Sequence, residues 1–240
     1  MRLILSFNPK ENYSEKRITK YQIQGFLYSL LQENEQYKDL HNQKGYKFFN
    51  FSNIFPYGDY NPESIKKLII SSPDASLIRN FYDELKQITF FRLGFCQMEL
   101  LKVKPAKTKV TENIQTATPI VLSPKPYTNH QYSFKQGDSI TQFFNKLKDN
   151  SLQKYKKFTN EDFELDTDLF NGFQLDKEIP TLVQMNQKII LIGSLWKNLK
   201  YNLTKDNKKF YRFLIDTGLG EKNSLGFGFI NCTQEGNQKC

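Results

Sequence analysis

Lys66-Lys-Leu-Ile-Ile-Ser71-Ser-Pro-Asp74-Ala-Ser-Leu-Ile-Arg-Asn-Phe-Tyr-Asp-Glu-Leu85 changes its apolar period in mid-course. Residues 66–71 read as a strand, Ser72-Pro73-Asp74 is a helix start, and Leu77, Ile78, Phe81 and Leu85 then recur at the spacing of one helix face. The same pairing stands upstream. Leu3, Leu5 and Phe7 alternate with Arg2, Ile4 and Ser6 as a strand, and Ile23, Phe26, Leu27, Leu30 and Leu31 form a helical stripe across 19–33. Aromatic-rich strand signals lie at Tyr46–Ile54, and Phe91–Val103 supplies a further strand. The order is β-α-β-β-α-β, the split pattern of the ferredoxin-like fold, in which two helices cover one face of a four-stranded antiparallel sheet.

The rhythm then restarts. Pro119–Ser123 reads as a short strand, Asp138 or Ser139 caps a helix bearing Ile140, Phe143, Phe144 and Leu147, and Phe163–Phe173 alternates like a strand. Lys188–Leu203 continues it. Thr204 or Asp206 caps a last helix with Phe210, Phe213, Leu214 and Thr217 in register, Gly218 ends that helix, and Leu225–Asn231 makes a final strand. The reading is an α+β chain of two tandem ferredoxin-like domains, residues 1–104 and 118–240, joined by a polar linker at 105–117.

Composition narrows the function. A chain of 240 residues that is 38% hydrophobic and 25% charged suits a large domain or two small ones, which excludes fibres, coiled coils and disulfide-stapled miniproteins. The net charge of +9 makes polyanions the natural partners. Two histidines and three cysteines without a CxxC pair leave little for a zinc site, and Cys96 reads as core and Cys240 as a tail thiol. The opening apolar run before Asn8 and Pro9 is short for a signal peptide, and Ile189–Trp196, broken by Gly193, falls far below the roughly 20 residues of a spanning helix. A cytoplasmic protein with no membrane contact is expected.

Gly218-Leu-Gly220-Glu-Lys222-Asn223-Ser224-Leu-Gly226-Phe-Gly228 packs four glycines and a lysine into eleven residues. Glycines at this density allow positive φ and close backbone approach, so that consecutive N–H groups can turn toward a phosphate while Lys222 supplies charge. A helix cap at Gly218 with a bulge at Gly226 and Gly228 is the plainer alternative. A dinucleotide fingerprint fits poorly, because Asn223 stands at the third glycine position and the loop follows a helix.

This segment closely resembles the GhGxxxxxGhG signature of Cas6, the CRISPR RNA-processing endoribonucleases of the RAMP superfamily, with Lys222 as the basic residue inside it. Tyr21-Gln-Ile-Gln-Gly-Phe-Leu-Tyr28 and Leu40-His-Asn-Gln-Lys-Gly-Tyr-Lys47 also look like that family's first helix and following loop. The resemblance implies two ferredoxin-like domains, a catalytic set of Tyr28, His41 and Lys47 on the first, and RNA binding on the second through Gly218, Gly220, Lys222, Asn223, Ser224, Gly226 and Gly228. It further implies metal-independent cleavage of CRISPR precursor RNA within repeats, without a cofactor, giving 5′-hydroxyl and 2′,3′-cyclic phosphate or 3′-phosphate ends. Repeat RNA is the implied partner; other Cas proteins of an effector complex, and a monomer or homodimer, stay open. So does a non-catalytic RAMP subunit that holds crRNA.

Three further features compete. His130, between Tyr127 and Tyr132, is the second imidazole and reads as a loop histidine. Glu164, Asp166 and Asp168 can share a strand face, yet seven carboxylates between Glu161 and Glu178 read better as a solvated acidic edge than as a metal site. Lys188–Arg212 carries a net charge of +6 with Trp196, Tyr201, Phe210 and Tyr211 interleaved, a candidate track for phosphates and stacked bases, and Lys102, Lys104, Lys107 and Lys109 add a second positive run.

Overall fold

A computed structural model of the chain describes residues 1–125, 130–184 and 188–233. Strand β1 (Arg2–Pro9) buries Leu3, Leu5 and Phe7 completely and pairs antiparallel with β3 (Lys66–Ser71) on one side and β5 (Cys96–Ala106) on the other. Helix α1 (Lys20–Ser29) starts at a capping box, in which Thr19 Oγ1 accepts from the Gln22 N–H and Gln22 Oε1 accepts from the Thr19 N–H. Helix α2 (Ala75–Gln87) starts at Asp74, whose carboxylate accepts from the Ser76 and Leu77 N–H groups at 2.9 and 3.2 Å. Both helices turn their apolar stripes onto one buried cluster with the sheet.

The strand read over Phe91–Val103 is a hairpin. Gly94 and Phe95 turn the chain between β4 (Phe90–Leu93) and β5, adding a fifth, edge strand to the expected four. The Tyr46–Ile54 signal shrinks to β2 (Asn50–Phe51), since the rest of that stretch leaves the sheet. The resulting order, β2-β3-β1-β5-β4, is the ferredoxin-like order with one strand appended.

The second sheet runs β7-β8-β6-β9, again the ferredoxin-like order. Its strands are β6 (Asn113–Thr116), β7 (Gly172–Gln184), β8 (Lys188–Lys200) and β9 (Ile230–Cys232), packed with α3 (Ile140–Thr159) and α4 (Lys208–Thr217). Three expectations shift. The first strand is β6, inside the stretch read as linker, whose Pro105 and Ala106 also complete β5; Pro119–Ser123 contributes only the isolated bridges Ile120 to Ser194 and Val121 to Glu221. Phe163–Phe173 is irregular up to Gly172, because Leu165, Leu169 and Phe170 act as single buried anchors instead of one strand face. The final strand contracts to β9, and Thr204 caps the turn that leads into α4, its Oγ1 accepting from the Asn207 N–H at 3.2 Å while Asn207 Oδ1 accepts from the Thr204 N–H at 2.9 Å. Ser139 caps α3 by accepting from the Gln142 N–H.

Arg2 joins the halves. Its guanidinium donates to Asn231 Oδ1 at 2.9 Å, to Ile230 O at 2.6 Å and to Ile215 O at 3.2 Å, and lies 4.5 Å from the Phe229 ring centroid. Elsewhere the chain has slack. Gly25 sits on the exposed side of α1, and a β-carbon there meets no atom within 4 Å. Gly25→Ala should therefore raise stability by about 0.5–1 kcal/mol, visible as a higher thermal midpoint, and a lower midpoint would refute the packing described.

Candidate active site

Helix α1 carries Tyr28 in its last turn, and the chain then passes through a series of turns to Gly45. Buried Tyr37 and Leu40 pin these turns to the core, and the Tyr37 hydroxyl donates to Asp74 Oδ2 at 2.9 Å at the start of α2. His41 follows directly and is exposed. Its ring meets Tyr28 edge-on, with centroids 4.5 Å apart and planes at 68°. Tyr28 in turn stands edge-on to buried Phe49 at 5.6 Å. Lys47, on the segment entering β2, donates from Nζ to Gln43 O, back in the turn region.

The next residue, Phe48, packs against Phe158 and Phe213 from α3 and α4, so the lysine-bearing segment is held by both halves. Tyr28, His41 and Lys47 thereby line one cleft of about 570 Å³, together with Gln24, Tyr46, Lys154 and residues 220–225. Burial pushes the Tyr28 hydroxyl above its usual pKa, and the polar Ser224 side chain pulls the other way. Burial lowers the pKa of Lys47, which makes its ammonium a readier proton donor than an ordinary lysine.

The glycine-rich segment forms the opposite wall. All four glycines have φ between +67° and +86°, and Lys222 also adopts the left-handed conformation at +57°. Much of the backbone is engaged internally: the N–H of Leu219 donates to Gly228 O, of Glu221 to Val121 O, of Gly226 to Asn223 O and of Gly228 to Pro119 O. The N–H groups of Lys222, Asn223 and Ser224, three in a row on the cleft wall, take part in none of these backbone hydrogen bonds. Its side chains face the cleft as well, with Lys222 exposed and Ser224 lining the same cleft as Tyr28. Gly220, Lys222, Asn223 and Ser224 line the cleft, while Gly218, Gly226 and Gly228 set the shape behind it.

The family model for CRISPR associated protein Cas6, C-terminal, matches residues 101–232. Over 244 aligned residues the chain is 38% identical to the CRISPR-associated endoribonuclease Cas6 2 of Methanocaldococcus jannaschii, covering 96% of this chain and 99% of that protein. The chain belongs to the Cas6 family. A second Cas6 endoribonuclease, from Haloferax mediterranei, is 24% identical over 98% of the chain and 94% of its own length. The Cas6 fold also matches a solved CRISPR associated protein Cas6 with a TM-score of 0.74 at 24% identity, covering 98% and 99% of the two chains. A structure titled as a RAMP protein binding different RNA substrates follows with a TM-score of 0.70 at 19% identity, covering 98% and 100%.

Other sequence-derived candidates lie away from the Cas6 cleft. His130 Nε2 faces Asp138 Oδ2 at 3.6 Å, and neither residue lines the cleft. Among the described residues no group of three His, Cys, Asp or Glu is placed to hold a metal ion, Glu164, Asp166 and Asp168 included. The proposed stacking aromatics are core: Trp196 donates from Nε1 to Ser194 Oγ at 2.7 Å, Tyr201 stacks on Tyr211 at 3.6 Å, and Phe210 is fully buried. Lys107 and Lys109 border a separate open groove with Arg2, and Lys102 and Lys104 are exposed on β5. Cys96 is buried as expected; Tyr127 and Cys240 lie outside the described residues. Among the described residues no helix is long and apolar enough to cross a membrane.

Sequence reading missed Gln24, Tyr46, Lys154 and Glu221 as cleft residues. Lys154 had a signal: it falls seven residues after Leu147 and three after Ser151 on the buried stripe of α3, where an apolar side chain belongs.

Proposed function

We propose that this Cas6 chain cuts CRISPR precursor RNA within its repeats by directing the RNA 2′-hydroxyl at the adjacent phosphorus. The nucleophile is part of the substrate, so the protein's task reduces to in-line alignment, proton transfer and stabilisation of charge on the phosphorane. The P–O2′ bond forms as the P–O5′ bond breaks, the 2′ proton leaves, and the departing 5′ oxygen takes a proton. The products are a 2′,3′-cyclic phosphate, which can open to a 3′-phosphate, and a 5′-hydroxyl.

His41 and Tyr28 together carry the proton traffic, and Lys47 neutralises the non-bridging oxygens. The edge-on contact of Tyr28 with His41 inside a cleft also lined by Lys47 and Lys222 is the observation that carries this reading. A boundary between the end of β5 at Ala106 and the start of β6 at Asn113 fits it, with the reacting side chains on the first half and the RNA-holding loop on the second. Incubation of purified protein with repeat RNA from the same genome, in EDTA, tests the reaction directly. Cleavage at one position is expected; tight binding with intact RNA would make the chain a crRNA-holding RAMP subunit instead.

Lys222 supplies the second test. It is exposed at the cleft wall, so Lys222→Ala should weaken binding and reduce the slope of log affinity against log salt by about 0.7–1, the loss of one phosphate contact. An unchanged slope would assign the loop a purely architectural role.

A further inference from the structure

Lys154 is 1% exposed, among the most buried side chains of the molecule. Its Nζ donates to Gly218 O at 2.8 Å, to Gly220 O at 3.1 Å and to Asn223 Oδ1 at 3.0 Å, which uses all three ammonium donors. Burial pushes its pKa down to about 7, against the pull of the Glu221 carboxylate. Removing a cation from water is costly, and an apolar residue of similar volume commonly serves stability as well or better. Core packing therefore does not account for a lysine here.

Its partners do. Asn223, held through Oδ1, donates from Nδ2 to Leu219 O and to Phe227 O, both at 3.0 Å. The carbonyls of Gly218, Leu219, Gly220 and Phe227 are thus gathered around one Lys–Asn pair behind the loop. The residue after Asn223 is Ser224, which lines the cleft with Tyr28 and whose carbonyl accepts at 2.9 Å from Nε2 of Gln24, on the helix that carries Tyr28. A continuous path of hydrogen bonds and backbone runs from α3 through the loop to α1.

We infer that Lys154 is a positioning residue for RNA cleavage: it braces the glycine-rich loop from behind, so that Ser224 holds the Tyr28-bearing helix through Gln24 and Lys222 faces the cleft. The inference rests on the cleft being the cleavage site. Although Lys154 borders the cleft, the loop takes up its three donors, so it acts through Asn223 and Ser224.

The test is Lys154→Met, which keeps the length and removes the donors, measured with saturating protein in single-turnover cleavage of repeat RNA, alone and combined with Tyr28→Phe. The cleavage rate should fall about tenfold or more, as expected when a reacting group is misplaced by a fraction of an ångström, and the effect of Tyr28→Phe should shrink in the Lys154→Met background. Backbone amides of 218–228 should exchange faster with solvent. A wild-type rate, or effects that simply multiply, would overturn the inference, and so would unchanged exchange. If Lys154→Met does not fold, Asn223→Ala breaks the same brace and is held to the same outcomes. The two readings fail differently. A Lys154→Met enzyme at wild-type rate beside an inactive His41→Ala enzyme overturns the brace alone; a fully active His41→Ala enzyme overturns the catalytic assignment, and the exchange data then decide the brace.

Discussion

Replacing His41 by alanine is expected to slow single-turnover cleavage of repeat RNA by about 10²–10⁴-fold, the range associated with losing a general acid or base. RNA affinity should change by less than about threefold, because the loop cation and the rest of the cleft wall remain. The geometry separates chemistry from folding here. His41 is exposed, and its recorded ring contact is with Tyr28, whereas the turn that carries it is pinned by Tyr37 and Leu40. Truncation therefore removes an imidazole without opening the core. A rate within a few-fold of wild type at saturating protein would remove His41 from the mechanism, whatever happened to binding.

The largest stability effect should come from Gly228→Ala. At φ +67° a β-carbon on residue 228 stands 1.9 Å from the carbonyl oxygen of Leu219, which is backbone and already accepts from Asn223 Nδ2. Residue 228 has no easy retreat, since its own N–H donates to Pro119 O at 2.7 Å and its carbonyl accepts from the Leu219 N–H at 2.9 Å. The left-handed conformation alone costs an L-residue about 1–2 kcal/mol, and the clash adds at least as much, so a loss of about 3 kcal/mol or more is expected. At about 2–4 °C per kcal/mol for a chain of this size, the thermal midpoint should drop by roughly 6–12 °C. A midpoint within about 2 °C of wild type would show that the two ends of the glycine segment are not locked together. Gly25→Ala, with open space around it, is the matched control that should move the other way.

The sequence made visible what depends on local pattern. Leu3, Leu5 and Phe7, the Asp74 cap and the Phe81 stripe identified their elements because burial on one face of a strand or helix enforces a period. Strand β6 escaped for the opposite reason: it has only four residues, and Ile114 alone among them is fully buried, so its place between β8 and β9 is fixed by distant pairing. Leu165, Leu169 and Phe170 misled because scattered anchors of an irregular segment imitate alternation. The charge-and-aromatic run 188–212 misled similarly, since composition does not tell which face of β8 an indole occupies, and Trp196 lies inside. Tyr28, His41 and Lys47 were found by motif resemblance, while Glu221 and Tyr46 belong to the cleft only through tertiary approach.

Arg2 closes a loop of nearly the whole chain, reaching the Ile230 carbonyl across 228 residues of sequence. During synthesis from the N-terminus, the guanidinium waits without these partners until β9 has been made, and the wall bearing Lys222 arrives almost as late. The Arg2 clasp therefore forms only once β9 has been made. A nascent chain carries Tyr28 and His41 long before it carries the opposite wall of their cleft.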